Sequence, residues 1–523
     1  MPIRYRAMTL AGILLILVGA CGQPEPTPTP VPPTAPVIAA IPTGLPTQTP
    51  VSPTDTPLPP SATPVPPTPT APATTTAVAA AIQPSPTPSP TPIPPSPPPE
   101  AVAEIRAELG YVPLFEPANC RFYKPPGFDP ECGYLVVPED RTKPDGAQVR
   151  LHVAIFRSRS ETPEPDPLIY LTGGGGGNEL DNTISYLDDG NDAILDHRDF
   201  IMYNQRGAKY GKPYLQCKGY AEFMAQLVPK NLPREEAAAE KIQFLLDCRD
   251  SLVERGIDLN TYNTAVNADD LNDLRIALGY DQVNIYGTSY GTRLALEILR
   301  RHGQHIRSAI IDSVYPPSVY FFSDYWANCW ATFEHIFDAC AADADCRSRY
   351  PGIQESLYQV LDDLHANPRT MQYGGAGTEI TFAYDDAAFV DAMYLFPYIA
   401  QPGMVPFVIQ RASQGDFSPI ESLIPWSMEV VPSDTIADGV QNSILCREET
   451  PFDSYERLVE LGEQMPPQIA RGSVSSFTYD LCAEWGVAPA DAAEKEPVVS
   501  DVPTLILTGE YDPITPCPRP GNS

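Results

Sequence analysis

The chain has 523 residues, with 63 prolines, 11 cysteines and a formal net charge of −32. This length is sufficient for several domains, but the prolines are concentrated near the N-terminus and leave a shorter foldable part. An acidic chain is repelled by phosphate backbones, which argues against a nucleic-acid partner, and the simplest interpretation of the charge is solubility.

Residues 1–21 have the features of an export signal. Arg4 and Arg6 give a basic start, and residues 10–18 form an apolar core that is short for a permanent membrane span. The following Val-Gly-Ala-Cys resembles a bacterial lipobox and predicts lipidation of Cys21. The protein would then be extracytoplasmic and lipid-anchored to a bacterial membrane. The alternative is a plain secretory signal.

Residues 22–100 consist largely of Pro-Thr, Pro-Val and Pro-Ser repeats. Such sequence buries little apolar surface and favours extended polyproline II or disorder. We interpret the segment as a disordered stalk, and a proline-rich ligand for another protein is the alternative.

Strands and helices alternate from residue 101 onward. This alternation predicts an α/β fold, with a mostly parallel sheet covered by helices on both faces. The predicted strands cover residues 133–138, 149–156, 167–171, 198–203, 283–286, 309–311 and 504–507.

A long segment with helical patterns separates the last two predicted strands. It predicts an inserted, largely helical lid over residues 319–495, between a core of residues 101–318 and a C-terminal core part of residues 496–523. Within the lid, helices are expected over residues 326–340, 353–364 and 385–398. A separate helical domain with no role at the site is the alternative.

The sequence Gly-Thr-Ser-Tyr-Gly at residues 287–291 lies between a predicted strand and a predicted helix. This is the pattern of a nucleophile elbow, in which a strained turn presents a serine and a side chain at either glycine would collide with its surroundings. The helix N-terminus also favours negative charge beside the serine. Ser289 is therefore the predicted nucleophile, and an ordinary glycine-flanked turn is the alternative.

A run of five glycines, residues 173–177, follows another predicted strand. Asn178 stands where a dinucleotide fingerprint needs its third glycine, and the Gly-Lys-Ser/Thr of a phosphate loop is absent, so no nucleotide cofactor is predicted. We predict an oxyanion loop in which Gly174 and Gly175 act together with the backbone N–H of Tyr290. A floppy loop is the alternative.

The cysteines fit an oxidising compartment. Proximity in sequence favours four disulfides, and Cys329 and Cys517 are left over. Because no Cys-x-x-Cys pair occurs, neither a zinc site nor any other metal is predicted. The favoured pairs are Cys120–Cys132, Cys217–Cys248, Cys340–Cys346 and Cys446–Cys482.

Several stretches between residues 110 and 516 together resemble the α/β-hydrolases of the tripeptidyl aminopeptidase and proline iminopeptidase group, with a TAP-like C-terminal region. The resemblance implies Ser289 as nucleophile and Asp512 as the acid that orients a histidine. It also implies a peptidase that releases short units from peptide N-termini beneath a helical lid. The matching stretches are the glycine loop, residues 198–199 with 205–207, residues 268–279, residues 286–293 and residues 503–516.

Two features depart from that group. Gly175 stands where the group usually has proline, which loosens the loop without removing a backbone donor. The second concerns the histidine that should follow Asp512 in the order Ser, Asp, His: none follows in this sequence, nor do a closing strand and helix. The expectation is a truncated or frameshifted form of an active hydrolase. His335 and His365 are remote substitutes, and Asp312 is the second candidate acid.

An aminopeptidase also needs a carboxylate for the α-ammonium group of its substrate. Glu448 and Glu449 are the candidates in the lid, and a solvated acidic turn is the alternative. Two other functions stay open. One is a carboxylesterase on the same fold, and the other is a non-catalytic binding protein displayed on a stalk.

Overall fold

The computed structural model of the protein describes residues 99–182, 187, 191–374, 379–399, 402–431 and 433–516. The predicted signal peptide, Cys21, Cys517 and nearly all of the stalk lie outside these residues. Of the helices that are described, none is both long and apolar enough to span a bilayer.

An eight-stranded sheet, in the order β1-β2-β3-β5-β4-β6-β7-β10, forms the centre of the folded part. The neighbours from β1 to β5 pair antiparallel, and those from β5 to β10 pair parallel. The predicted α/β fold with a mostly parallel sheet is confirmed. The strands are β1 (Leu114–Pro117), β2 (Glu131–Pro138), β3 (Gln148–Phe156), β4 (Leu168–Leu171), β5 (Phe200–Tyr203), β6 (Val283–Thr288), β7 (Ile306–Asp312) and β10 (Thr504–Leu507).

Both faces of the central strands are buried, as their continuous apolar sequences require. In β5, Ile201 and Tyr203 join the larger core cluster, whereas Phe200 and Met202 join a separate cluster. This period of two places alternate side chains on opposite faces of the sheet. Helices that follow the strands contribute to the larger cluster: α3 (Arg234–Glu254), α4 (Thr264–Ala277) and α5 (Tyr290–His302).

A second apolar core lies in the segment predicted as a lid. The three helices expected there are present as α6 (Phe321–Ala342), α8 (Ile353–Ala366) and α9 (Asp386–Ile399). The segment also contains an antiparallel hairpin, β8 (Arg369–Tyr373) with β9 (Ile380–Tyr384), which the sequence analysis did not predict. The remaining α-helices of the described part are α1 (Pro99–Leu109), α2 (Tyr220–Leu227), α7 (Ala344–Arg349), α10 (Val405–Ser413), α11 (Ile424–Ser427), α12 (Asp438–Glu448), α13 (Tyr455–Gly462), α14 (Pro467–Ser473) and α15 (Phe477–Trp485).

All four predicted disulfides are present. The Cys446–Cys482 bond joins α12 to α15, and the Cys217–Cys248 bond ties α3 to the loop that follows β5. Cross-links of this kind stabilise a fold mainly by restricting its unfolded chain. Cys329 is a buried free thiol.

Candidate active site

The turn between β6 and α5 holds Ser289 in a backbone conformation that side-chain-bearing residues rarely adopt, with φ +54° and ψ −123°. The N–H of Ser289 donates to the carbonyl oxygen of Asp312, 3.0 Å away, which ties the turn to β7. A Cβ atom at Gly287 would lie 2.3 Å from the Gly291 oxygen, and one at Gly291 would lie 2.0 Å from the Leu171 oxygen. Both glycines are therefore required by their close approach to backbone.

The glycine loop passes directly over this turn. A Cβ at Gly173 would lie 3.2 Å from the Cβ of Ser289, and Gly174 has φ +69°. The Gly176 N–H donates to the Gln205 side-chain oxygen at 3.0 Å. No acceptor among the described residues engages the N–H groups of Gly174 and Gly175. These two donors are thus available to a ligand oxygen.

A segment of the predicted lid contacts the glycine loop. The Asn178 N–H donates to the Thr435 oxygen at 2.7 Å, and the Ala437 N–H donates to the Gly176 oxygen at 3.1 Å. The Ile436 side chain lies against Gly174, where an added Cβ would come within 2.7 Å of it. The predicted oxyanion loop and the predicted lid are therefore in direct contact.

Ser289 lines a cavity of about 550 Å³, here called the catalytic cavity. Gly174, Gly175 and Tyr290 line it from the core side. The side of the cavity formed by the predicted lid is largely aromatic, which lowers the polarity around the serine and strengthens electrostatic interactions there. The aromatic residues from the lid helices are Phe321, Phe322, Tyr325, Trp326, Phe477 and Tyr479.

Asp512 follows β10, and its half-buried side chain is held by its own loop. One carboxylate oxygen accepts from the N–H groups of Ile514 and Thr515, both at 2.9 Å, and the other accepts from the Thr515 hydroxyl at 2.7 Å. Ile514 and Thr515 also line the catalytic cavity, so the acid loop borders it. Asp312, the second candidate, accepts instead from the Tyr286 hydroxyl at 3.0 Å.

None of the described residues lining the catalytic cavity is a histidine. His335 lies near the acid loop, where its ring stacks on Tyr511 and its Nε2 lies 3.0 Å from Glu510. His365 pairs with Asp386 on α9. These partners account for both rings without Ser289.

The positions of Glu448 and Glu449 do not support the predicted role in binding a substrate amino group. Both side chains are 1% exposed, and neither lines the catalytic cavity. Arg293 contacts both carboxylates, at 3.2 and 2.5 Å, and Lys495 contacts Glu449 at 3.0 Å. Two cations thus offset two anions, and no negative charge is left for a ligand.

Glu448 instead stabilises the nucleophile elbow through hydrogen bonds to Thr264. It accepts from both the N–H and the hydroxyl of Thr264, at 2.7 and 2.6 Å. The same Thr264 hydroxyl lies 2.8 Å from the Tyr290 hydroxyl. Because Tyr290 follows the nucleophile, this buried network fixes the start of α5.

The sequence analysis missed Asp391, a carboxylate of α9 that lines the catalytic cavity. Its Oδ1 is buried and accepts no hydrogen bond within the described residues. Burial raises the pKa of Asp391 to about 7. An acid inside an otherwise apolar helical run, Ala-Phe-Val-Asp-Ala-Met, was the signal that could have identified it.

Comparison with known families agrees with this geometry. A family model described as "alpha/beta hydrolase fold" matches residues 166–390, and one described as "TAP-like protein" matches residues 469–519. The chain has the α/β-hydrolase fold. Its nucleophile elbow and glycine loop fall within the first match, and its acid loop falls within the second.

Curated relatives of this chain include peptidases and an esterase. Tripeptidyl aminopeptidase of Streptomyces lividans is 31% identical over 195 residues, which is 36% of either chain. Serine protease Hip1 of Mycobacterium tuberculosis is 23% identical over 74% of this chain and 76% of its own length. Carboxylesterase B of the same organism is 27% identical with the same coverage. These relatives support a serine hydrolase or peptidase.

Proposed function

We propose that this α/β-hydrolase is a peptidase that releases short units from peptide N-termini through an acyl-Ser289 intermediate. The observation that carries the proposal is the strained Ser289 at the wall of a cavity of about 550 Å³. Gly174 and Gly175 line the same cavity, and their N–H groups have no acceptor among the described residues. A cavity of that size is in the range of small-ligand sites and holds a short peptide segment.

In the proposed reaction, the Ser289 hydroxyl oxygen attacks the scissile carbonyl carbon, and the carbonyl oxygen becomes an oxyanion. The N–H of Tyr290 lies in the first turn of α5, where it has no intrahelical acceptor, and it donates to that oxyanion together with Gly174 and Gly175. The leaving amine departs with a proton, and water then releases the acyl group. Each donor contributes roughly 3 kcal/mol to the transition state.

The proton of Ser289 has to pass to a base and then to the leaving amine. Asp512 is proposed to orient that base, a histidine by the resemblance stated above. The described part of the cavity wall contains no histidine, so the base is left unassigned. Asp512 itself is held by three hydrogen bonds and is therefore already oriented.

A serine-directed fluorophosphonate probe tests the nucleophile. We expect labelling of the wild-type chain at Ser289 and none in Ser289→Ala. Chymotryptic mapping of the labelled peptide checks the position. A probe that reacts equally with the alanine variant would overturn the assignment. A wild-type chain that stays unlabelled would also overturn it and would favour a non-catalytic binding protein.

A carboxylesterase is the second candidate, since carboxylesterase B is among the relatives. Hydrolysis of tripeptidyl amides and of short acyl esters should be compared in the same preparation. The peptidase proposal expects turnover of the amides and loss of that turnover when the peptide N-terminus is acetylated. Ester turnover without amide turnover would replace the peptidase by the esterase.

The location of the protein is part of the proposal. The basic start, the apolar core and Cys21 support export and lipid anchoring to a bacterial membrane, with residues 22–100 as a spacer. Radiolabelled palmitate should be incorporated into the wild-type protein but not into Cys21→Ala. Equal incorporation by both proteins would remove the anchor from the proposal.

A further inference from the structure

A second chamber of about 550 Å³ adjoins the catalytic cavity. Five residues line both spaces, and they mark the junction between them. They come from α3, α6, α9, α15 and the loop that precedes α15, so the junction is built by the folded lid together with α3. The five residues are Arg234, Trp326, Asp391, Ser475 and Phe477.

Asp391 is the one acidic side chain among the described residues that line the catalytic cavity. Its Oδ1 is buried without a hydrogen-bond donor, and Asp391 forms no salt bridge within the described part of the chain. Leaving a buried carboxylate oxygen unpaired destabilises a folded protein, so such a group calls for an explanation. A ligand that brings its own positive charge would provide one.

The neighbouring cations are already engaged by other groups. Arg234 donates to the carbonyl oxygens of Arg471 and Gly472 at 2.7 and 2.6 Å. Lys241, which lines the second chamber, pairs with Glu429 at 2.8 Å. Neither cation forms an ion pair with Asp391, so a carboxylate without an ion pair among the described residues lines both spaces at their junction.

We propose that Asp391 binds the primary ammonium group of a peptide whose scissile carbonyl lies at Ser289. This inference rests on the proposed peptidase function and assigns to Asp391 the role intended for Glu448 and Glu449. An N⁺–H···O⁻ hydrogen bond to this carboxylate would place the ammonium group at the junction, and a rotation of the side chain would bring the unpaired Oδ1 to the ligand. The separation between Ser289 and Asp391 would then determine how many residues are released.

Binding measurements test the ammonium-binding role of Asp391 independently of turnover. Isothermal titration of the Ser289→Ala chain should use trialanine amide, N-acetyl-trialanine amide and N-acetyl-Lys-Ala-Ala amide. We expect acetylation to lower the affinity for trialanine amide on the order of 10- to 100-fold, which corresponds to the loss of one charge-assisted hydrogen bond. Recovery of the affinity with the lysine peptide would support ammonium binding and would show that a side-chain ammonium group is sufficient. No recovery would show that the bound ammonium group is the peptide N-terminus.

Introducing Asp391→Asn into the Ser289→Ala chain should remove the higher affinity for the free amine. The affinity for the acetylated peptide should stay within about twofold, because only the charge of the side chain is lost. Asp385→Asn is the matched control, since Asp385 is exposed and lines only the second chamber. Its Oδ1 accepts from the Ala388 N–H at 3.1 Å, a bond that an asparagine oxygen keeps. The control should preserve the higher affinity for the free amine.

The pH dependence gives an independent readout. Burial raises the pKa of Asp391 to about 7, with Arg234 and Lys241 opposing the rise and Glu429 and Asp385 adding to it. Because the ammonium group needs the ionised carboxylate, affinity for trialanine amide should increase as pH rises through about 7. This increase should be absent in Asp391→Asn.

Equal affinity for all three peptides would overturn the ammonium-binding role of Asp391. Equal losses of affinity for the free and acetylated peptides in Asp391→Asn would overturn it as well. Thermal unfolding of each variant confirms that the comparison is made on folded protein. The two proposals fail separately. Selective binding of the free amine without fluorophosphonate labelling of Ser289 would retain the ammonium-binding role of Asp391 and reject the hydrolase. Labelling of Ser289 without preference for the free amine would retain the hydrolase and reject that role.

Discussion

Replacing Ser289 by glycine should stabilise the protein relative to replacing it by alanine. With φ +54° and ψ −123°, position 289 lies in a region of backbone space that is nearly reserved for glycine. Any side chain with a Cβ is strained there, whereas glycine is not. Both substitutions remove the hydroxyl, so the comparison isolates the backbone from the chemistry.

The size of the difference follows from two opposing effects. Strain in such a region costs of the order of 1–3 kcal/mol, and the additional freedom of glycine in the unfolded chain costs about 0.4–1 kcal/mol. The glycine variant at position 289 should therefore be more stable than the alanine variant by about 0.5–2 kcal/mol. For a folded part of this size, that corresponds to roughly 1–3 °C in melting temperature.

Differential scanning calorimetry of the two variants measures the effect, and the fluorophosphonate probe should label neither. Ser356, the fourth residue of α8, is the matched control, and its N–H already donates to the Gly352 oxygen. There, the order should reverse, with glycine less stable than alanine by about 1 kcal/mol. Greater stability of Ser289→Ala than of Ser289→Gly would show that the turn is unstrained and would refute the reasoning.

Three other predictions follow from close contacts and buried charge. Gly291→Ala should prevent folding, because its Cβ would lie 2.0 Å from the Leu171 oxygen, and soluble, cooperatively melting protein would contradict this. Added imidazole should accelerate fluorophosphonate labelling of Ser289, because no described residue lining the catalytic cavity is a histidine. An adjoining cavity of about 420 Å³, which shares Thr515 with the catalytic cavity, gives the imidazole room to bind. An unchanged labelling rate would contradict this prediction. Burial raises the pKa of Asp438 to about 6, so its carboxyl destabilises the fold as pH rises from about 4 to about 6. Asp438→Asn should therefore raise the melting temperature more at pH 7 than at pH 4, and an equal gain at both would argue against this.

Local patterns accounted for most of the fold. The strand before Ser289, the helix after it and the two flanking glycines occupy adjacent positions in the sequence, so their geometry could be predicted from it. The lid was harder to predict. The hairpin of β8 and β9 went unrecognised because exposed and buried positions do not alternate cleanly along β8.

The sequence by itself determined the nucleophile turn and the sheet, because each depends on residue types at short or regular spacing. It favoured the four disulfide pairs that the structure contains but did not determine them. Only the tertiary structure decided which acids carry an unpaired charge. Arg293 and Lys495 approach Glu448 and Glu449 from distant parts of the chain and neutralise them, whereas no cation pairs with Asp391 among the described residues. The physical reason is that ion pairing depends on separation in space, which separation along the chain does not specify.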